Sequence, residues 1–342
     1  MYDGEYTFKV RSYNADGVVG DTMTINISIA KPFWKKWWFI IVLGVVLIFI
    51  VAFIVKMRER SHLRYQKELE LQLALRTKEV VHQKEEIEEI NKDLTDSINY
   101  AKRIQTAILP EADEFEKIFP KHFVVYKPKD IVSGDFYWAR KFNNLHLIVC
   151  ADCTGHGVPG AFMSMIGMML LYEACVLKNI LDPGEILKDI DNSLKEILRQ
   201  NDDFESNKDG MDLSLCIVDV DSNKMYTAGA MRPIYIYRKG IQHIIKGDRF
   251  SLGGTIVKNK IFNTREYDLM KEDLVYMFSD GYADQFGGPS KRKMKVQRLN
   301  ELLDQVAQLD ISKQAGEIES FFENWKGDTP QMDDVLLIGF QY

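Results

Sequence analysis

The sequence predicts an α+β chain in which a β-hairpin, one membrane-spanning helix and a coiled coil precede a larger strand-and-helix domain. Three observations predict it. Residues 1–30 alternate in two strand-like runs, residues 37–55 are apolar and uncharged, and residues 57–99 place apolar side chains at heptad spacing. With 342 residues, 46% of them hydrophobic and 27% charged, the chain has material for two or three folded units. A net charge of −6 carries no global basic footprint, which excludes nucleic acid as a general partner. The four cysteines, Cys150, Cys153, Cys175 and Cys216, lie in apolar runs without framework spacing, as in a reducing compartment. Cys150 and Cys153 form a single CxxC, but strand alternation buries Cys150, so no zinc or redox centre is expected there.

In the first segment Tyr6, Phe8 and Val10 share a face, Asp16-Gly17 supplies a turn, and Ile25, Ile27 and Ile29 share a face of the second run. Two strands do not stand alone in water, so residues 1–30 are expected to be the last strands of a larger β domain. The uncharged run of about 19 residues is long enough to cross a hydrocarbon core. A signal peptide is the alternative, but no small-residue cleavage site follows. Lys31, Lys35 and Lys36 precede the run and Lys56, Arg58, Arg60, Arg64 and Lys67 follow it. This modest bias predicts a single pass through the inner membrane, with the N-terminus outside and the C-terminal domain in the cytoplasm. Trp34, Trp37 and Trp38 then form the outer aromatic belt. With no signal sequence ahead of the hairpin, the chain reads as the C-terminal part of a longer receptor.

Leu73, Val80, Ile87 and Leu94 stand a heptad apart; Leu69, Ile90 and Ile98 partly fill the second seam position, and Arg76 and Gln83 do not. A parallel coiled coil of marginal stability over 57–99 is expected, making a homodimer; a single solvated helix is the alternative. Its helix continues over 98–110, with Ala101, Ile104, Ala107 and Ile108 placed for packing against the following domain, and stops at Pro110.

Residues 120–342 mix strands, helices and turns with no second hydrophobic span, and are the catalytic candidate. Their centre is the stretch from Leu147 to Ala161: a buried-strand run delivers Asp152, a turn with Gly155 and Gly157, and the start of a Met-rich helix. An aspartate that merely caps that helix is the plain alternative. Asp135, Asp280 and the pair Asp333 and Asp334 also lie at the edges of strand-like runs. If those strands share a sheet the carboxylates converge, and clustered carboxylates repel unless a cation neutralises them. Oxygen ligands without companion His or Cys select Mg²⁺ or Mn²⁺, and two such ions hold a hydroxide for in-line attack on phosphorus.

Gly134-Asp135-Phe136-Tyr137, Ala151-Asp152-Cys153-Thr154-Gly155-His156-Gly157, Phe278-Ser279-Asp280-Gly281 and Asp333-Asp334-Val335, in this order, resemble the SpoIIE/RsbU-type branch of the PPM metal-dependent serine/threonine phosphatases. Asn99 to Pro110 resembles the regulatory helix ahead of that domain, and Ala228-Gly229-Ala230-Met231-Arg232-Pro233 and Ser251-Leu252-Gly253-Gly254 fit its pattern. The resemblance implies an α/β/β/α sandwich with two Mn²⁺ or Mg²⁺ ions. It implies Asp152 as bridging ligand, the Cys153 carbonyl, Asp280 and Asp333 as ligands, with Asp334 as the alternative to Asp333, and Asp135 as a direct or water-mediated ligand. Animal-type relatives carry an acid histidine two residues after the bridging aspartate; here Thr154 stands there, leaving His156 as the candidate acid beside the reading of a plain turn histidine. Lys127 and Lys129 are candidates for steering a phosphoprotein, against the reading of solvated charges. Asp212 occupies a family-like position without an assigned role, and the basic run Lys291-Arg292-Lys293-Met294-Lys295 reads as a solvated loop or a docking surface.

Gly4 to Arg11 together with Pro32 to Trp38 resembles the end of the immunoglobulin-like domain that joins periplasmic propeller sensors to the membrane. These resemblances imply a membrane-anchored, signal-regulated phosphatase for phosphoserine or phosphothreonine, with an anti-anti-sigma (STAS) type regulator as its protein substrate. The competing expectation is a catalytically silent relay that only binds a partner protein. Ser61-His62-Leu63-Arg64 superficially resembles a histidine-kinase phosphoacceptor box, but no ATP-binding segments follow it.

Overall fold

A computed structural model describes residues 2–200, 207–254, 257 and 259–342. The chain divides into two units, Met1–Ile90 and Asn91–Tyr342. In the first, β1 (Gly4–Tyr13) and β2 (Val19–Ile29) pair antiparallel with Tyr6 opposite Ile27 and Phe8 opposite Ile25. Alternation therefore places the expected apolar residues on one face, and that face is exposed. Asn14 Oδ1 accepts from the N–H groups of Asp16 and Val18 to close the turn. After a 3₁₀ turn at Phe33–Lys35, one helix, α1 (Trp37–Ile108), runs unbroken through all three segments read separately in the sequence. Its most apolar window has a mean hydropathy of 3.3 and no buried residue. Leu73, Val80, Ile87 and Leu94 are all exposed along it.

The second unit begins with the last turns of α1 and continues through α2 (Ala112–Ile118), β3 (His122–Lys127), β4 (Phe136–Phe142), β5 (Leu145–Cys153), α3 (Gly157–Tyr172) and α4 (Pro183–Ile197). Then come β6 (Gly210–Asp219), β7 (Lys224–Ala230), β8 (Ile234–Arg238), β9 (Ile241–Ile245), β10 (Leu252–Gly253), β11 (Arg265–Asp268) and β12 (Leu274–Phe278). The chain closes with α5 (Gly281–Asp284), β13 (Phe286–Gly287), β14 (Arg292–Lys293), α6 (Lys295–Val306), α7 (Ile311–Lys326) and β15 (Val335–Gln341). One antiparallel sheet has the order β11-β7-β6-β5-β4, with β10 added at β6; the other has the order β3-β15-β12-β8-β9.

Period-two alternation explains how the sheets stack. On β5, Ile148 and Cys150 face the layer between the sheets, where they meet Cys216 and Val218 of β6, Val275 and Met277 of β12, and Leu336 and Ile338 of β15. The intervening Leu147, Val149 and Ala151 face α3 and α4. On the far side Tyr276, Phe278, Leu337 and Val335 pack against α6 and α7. The result is the expected α/β/β/α sandwich. All four cysteines are free and buried. Gly157–Leu177, which comprises α3 and one following π turn, is long and apolar enough to cross a membrane by length and composition, contrary to the expectation of no second such span. Half of its apolar window is buried, because its Met and Leu side chains cover the first sheet.

Candidate active site

The central strands of the two sheets end at the same place. Asp152 is the penultimate residue of β5, and the antiparallel register sets Asp212 of β6 directly opposite it. Asp280 follows β12 and opens α5. Asp333 and Asp334 immediately precede β15, which pairs with β12 and whose Leu336 carbonyl accepts from Ser279 N–H at 3.0 Å. Asp135 enters from the loop before β4. That loop lies against the turn after Asp152 so closely that a Cβ on Gly134 would stand 2.4 Å from the Gly155 carbonyl oxygen, so only glycine fits there.

Like charges facing each other across a ladder are destabilising, and the fold answers with one arginine. Arg232 Nη2 lies 2.7 Å from Asp152 Oδ2, 2.8 Å from Asp280 Oδ2 and 3.3 Å from Asp212 Oδ2. A tight turn after β7 aims it there. Met231 sits at φ 63°, its N–H donates to the Asp248 carbonyl, and Arg232 N–H donates to the Ala230 carbonyl. Burial opposes the charge on Arg232, but the surrounding carboxylates, Asp152 foremost, hold its pKa above the ordinary arginine value. Burial likewise pushes Asp152 up to about 8, against the pull of Arg232. Asp135 is raised well above the aspartate range by burial and by the charge of Asp152, and burial raises Asp212 and Asp333.

Asp135 is 2% exposed, and its Oδ2 has no hydrogen-bond partner among the described residues. A buried carboxylate oxygen without a donor is costly, and a cation is what such an atom lacks. Among the described residues no three His, Cys, Asp or Glu side chains close into a cage for an ion; Arg232 stands among the carboxylates. The donor set is all oxygen, partly buried and short of positive charge, which fits a hard divalent cation.

The structure separates the two C-terminal aspartates. Asp334 is buried, and both of its oxygens are taken, Oδ1 by Lys129 N–H and Oδ2 by Gly134 N–H, each at 2.7 Å. It therefore pins the loop that carries Asp135. The Asp333 carboxylate accepts from Asp334 N–H through Oδ1 and feels the charge of Asp280. Cys153 ends β5 with its side chain in the core, and its carbonyl oxygen lies 3.3 Å from where a Cβ on Gly134 would stand.

His156 is half exposed. Lys129 Nζ donates to its Nε2 at 2.8 Å, which leaves Nδ1 as the N–H that donates to Asp130 Oδ2 at 2.7 Å. In this arrangement Nε2 carries no proton to give. Lys127 turns to α7, where it pairs with Glu323 at 2.9 Å, so only Lys129 of the two candidate lysines stands beside a candidate site residue.

Sequence reasoning gave no role to Arg232, Asp130 or Gln105, although Arg232 stands in the 228–233 run and Gln105 in the 98–110 helix that it singled out. Gln105, in the last turn of α1, is 4% exposed; its Nε2 donates to the Ser133 carbonyl at 2.6 Å and to Ser164 Oγ at 2.8 Å, while its Oε1 accepts from Ser133 N–H at 3.2 Å. Ser133 Oγ in turn accepts from Asp135 N–H. The helix end is thus tied to the loop of Asp135 and to α3.

A family profile described as Stage II sporulation protein E (SpoIIE) matches residues 144–342, more than half of the chain. The solved SiaA-PP2C domain of Pseudomonas aeruginosa is 30% identical, with a TM-score of 0.67 over 74% of this chain and 98% of that one. The PP2C phosphatase domain of SpoIIE from Bacillus subtilis, solved with a fragment of its regulatory domain, is 18% identical, with a TM-score of 0.51 over 65% of this chain and 61% of that one. The RsbU and RsbW domains of a Mycobacterium tuberculosis protein align at 18% identity and a TM-score of 0.52, over 65% of this chain and 60% of that one. These last two likenesses concern the fold alone. No curated protein matches the sequence. Phosphatases of the PP2C family are metal-dependent and act on phosphoproteins. The chain belongs to the SpoIIE family of PP2C-type phosphatases and is a protein serine/threonine phosphatase.

Proposed function

We propose that this chain is a membrane-anchored, signal-gated phosphatase that removes phosphate from phosphoserine or phosphothreonine in a STAS-type regulator, using two Mn²⁺ or Mg²⁺ ions. The observation that carries the reading is the gathering of Asp135, Asp152, Asp212, Asp280 and Asp333 at one end of the two sheets, with Arg232 paired to three of them. Asp152, Asp280, Asp333 and the Cys153 carbonyl would hold the ions, with Asp135 placed to bind directly or through water. When bound, the ions supply a hydroxide nucleophile and charge stabilisation for in-line displacement at phosphorus. Asp334 keeps the Asp135 loop in register, and Arg232 offers a guanidinium for phosphate oxygens. Lys129 occupies His156 Nε2, so proton delivery to the leaving serine oxygen falls to another group unless that contact opens.

Residues 1–30 are read as the end of an immunoglobulin-like sensor domain, 37–55 as one membrane span with the N-terminus outside, 57–99 as a dimeric coiled coil and 98–110 as the regulatory helix. The exposed apolar heptad positions of α1 and its uncharged first turns support that division. The buried Gln105 is the contact through which a change in the coil reaches Asp135. The test is hydrolysis of an aryl phosphate by the purified protein with Mn²⁺, with chelator, and with Asp152→Asn. Turnover that requires Mn²⁺ and disappears with the substitution is expected. Unchanged turnover in the variant would sink the assignment of Asp152, and absent turnover together with absent Mn²⁺ binding by calorimetry would favour a silent relay.

A further inference from the structure

The basic run Lys291–Lys295 takes no part in the carboxylate site, yet it is built into the fold. β13 and β14 pair as a short hairpin, α6 starts at Lys295, and hairpin and helix wall a cleft of ≈ 430 Å³ that Trp325 of α7 also lines. Arg292, Lys293, Lys295 and Arg298 line it, and the Arg298 guanidinium lies over the Trp325 ring, 4.4 Å from its centre. Lys291 and Lys295 hold left-handed φ values of 45° and 66°, a conformation that is costly for a non-glycine residue and persists only where surroundings enforce it.

The cleft is fixed to the carboxylate site on two sides. Four residues of α5, a rise of roughly 6 Å, join it to Asp280, and Asp284 at the end of that helix pairs with Lys293 at 2.7 Å. On the other side the buried Gln285 donates to the Pro330 carbonyl at 3.0 Å and accepts from Met332 N–H at 3.0 Å, next to Asp333. Gln285 also accepts from Trp325 Nε1–H and from Met294 N–H through its carbonyl. Five cations from Lys291 to Arg298 face two carboxylates, Asp284 and Glu301, in a chain whose net charge is −6. A guanidinium held over an indole keeps its N–H donors available to a carboxylate.

We propose that this cleft docks an acidic segment of the protein substrate, a few residues from the phosphorylated side chain; the substrate role rests on the phosphatase reading of the carboxylate site. The experiment compares kcat/KM of the full chain, with Mn²⁺, on two synthetic phosphoserine peptides, one flanked by glutamates and one by alanines. The wild type is expected to prefer the acidic peptide by about tenfold at low salt and to lose most of that preference at high salt. Arg292→Glu combined with Lys295→Glu is expected to bring the ratio to about one, while Lys313→Glu, at the other end of α7 from Trp325, keeps it. A wild-type ratio near one, or a ratio indifferent to the double substitution, overturns the proposal.

Binding of a fluorescent, unphosphorylated Glu-rich peptide, followed by anisotropy, decides the docking claim without turnover. If no phosphopeptide is hydrolysed, the phosphatase reading fails and anisotropy alone judges the cleft. Loss of peptide binding in the double variant supports the proposal, and unchanged binding refutes it. Tighter binding of single-stranded RNA or of anionic vesicles than of the peptide, through the same residues, would overturn the assignment to a protein partner.

Discussion

Replacing Arg232 by methionine keeps the bulk of the side chain and removes the one cation among the described residues that faces Asp152, Asp280 and Asp212 within 3.3 Å. Breaking a buried ion pair by deleting one partner costs about 3–5 kcal/mol. Here the side chains of Arg232 and Asp152 are 16% and 19% exposed and that of Asp280 is 41% exposed, so water shares the load and about 2–3 kcal/mol is the expected loss. For a domain of this size each kcal/mol lowers Tm by about 2–4 °C, giving a drop of roughly 4–12 °C for Arg232→Met in chelator at a pH above about 8, where Asp152 is ionised. Added Mn²⁺ supplies the missing charge, so the gap between variant and wild type is expected to narrow. Differential scanning fluorimetry with and without Mn²⁺ reads both quantities. A variant that melts with the wild type in chelator would refute the view that Arg232 balances the cluster.

Gln105→Leu removes both hydrogen bonds to Ser133 and the one to Ser164; a loss of about 1–3 kcal/mol in urea unfolding is expected, with turnover on aryl phosphate falling about tenfold. Loss of stability without loss of turnover would show that α1 does not position the Asp135 loop. The raised carboxylates also set a pH dependence for the metal-free protein. Between the ordinary aspartate value of 3.8 and about 8, folded Asp152 keeps a proton that the unfolded chain has released, so its contribution is complete at low pH and is lost as the pH rises through about 8. Melting in chelator is therefore expected to fall as the pH climbs across this window, less steeply in Asp152→Asn; equal slopes would contradict the burial of an uncompensated Asp152.

Much of this architecture was legible because it is local. Alternation placed Ile148 and Cys150 opposite Leu147 and Val149, and strand-edge aspartates marked the site end of both sheets. What stayed hidden depends on pairs far apart in the chain. Arg232 meets Asp152 across 80 residues and Asp334 meets Gly134 across 200, and nothing in the text of either segment states the partner. The two adjacent aspartates read alike in sequence; only the backbone N–H groups of Lys129 and Gly134 distinguish the one that pins a loop from the one left facing Asp280. The partners of His156 and Lys127 were hidden for the same reason, since Asp130 and Glu323 meet them only in three dimensions.

The last strand of the described chain, β15, lies between β3 and β12 in the middle of its sheet, not at an edge. During synthesis β3 and β12 therefore stay unjoined until β15 has been made, and Asp333 arrives just ahead of it. A nascent chain stalled before Val335 lacks the strand that joins the two halves of the second sheet. Such a domain gains its carboxylate site only once β15 has taken its place between the two.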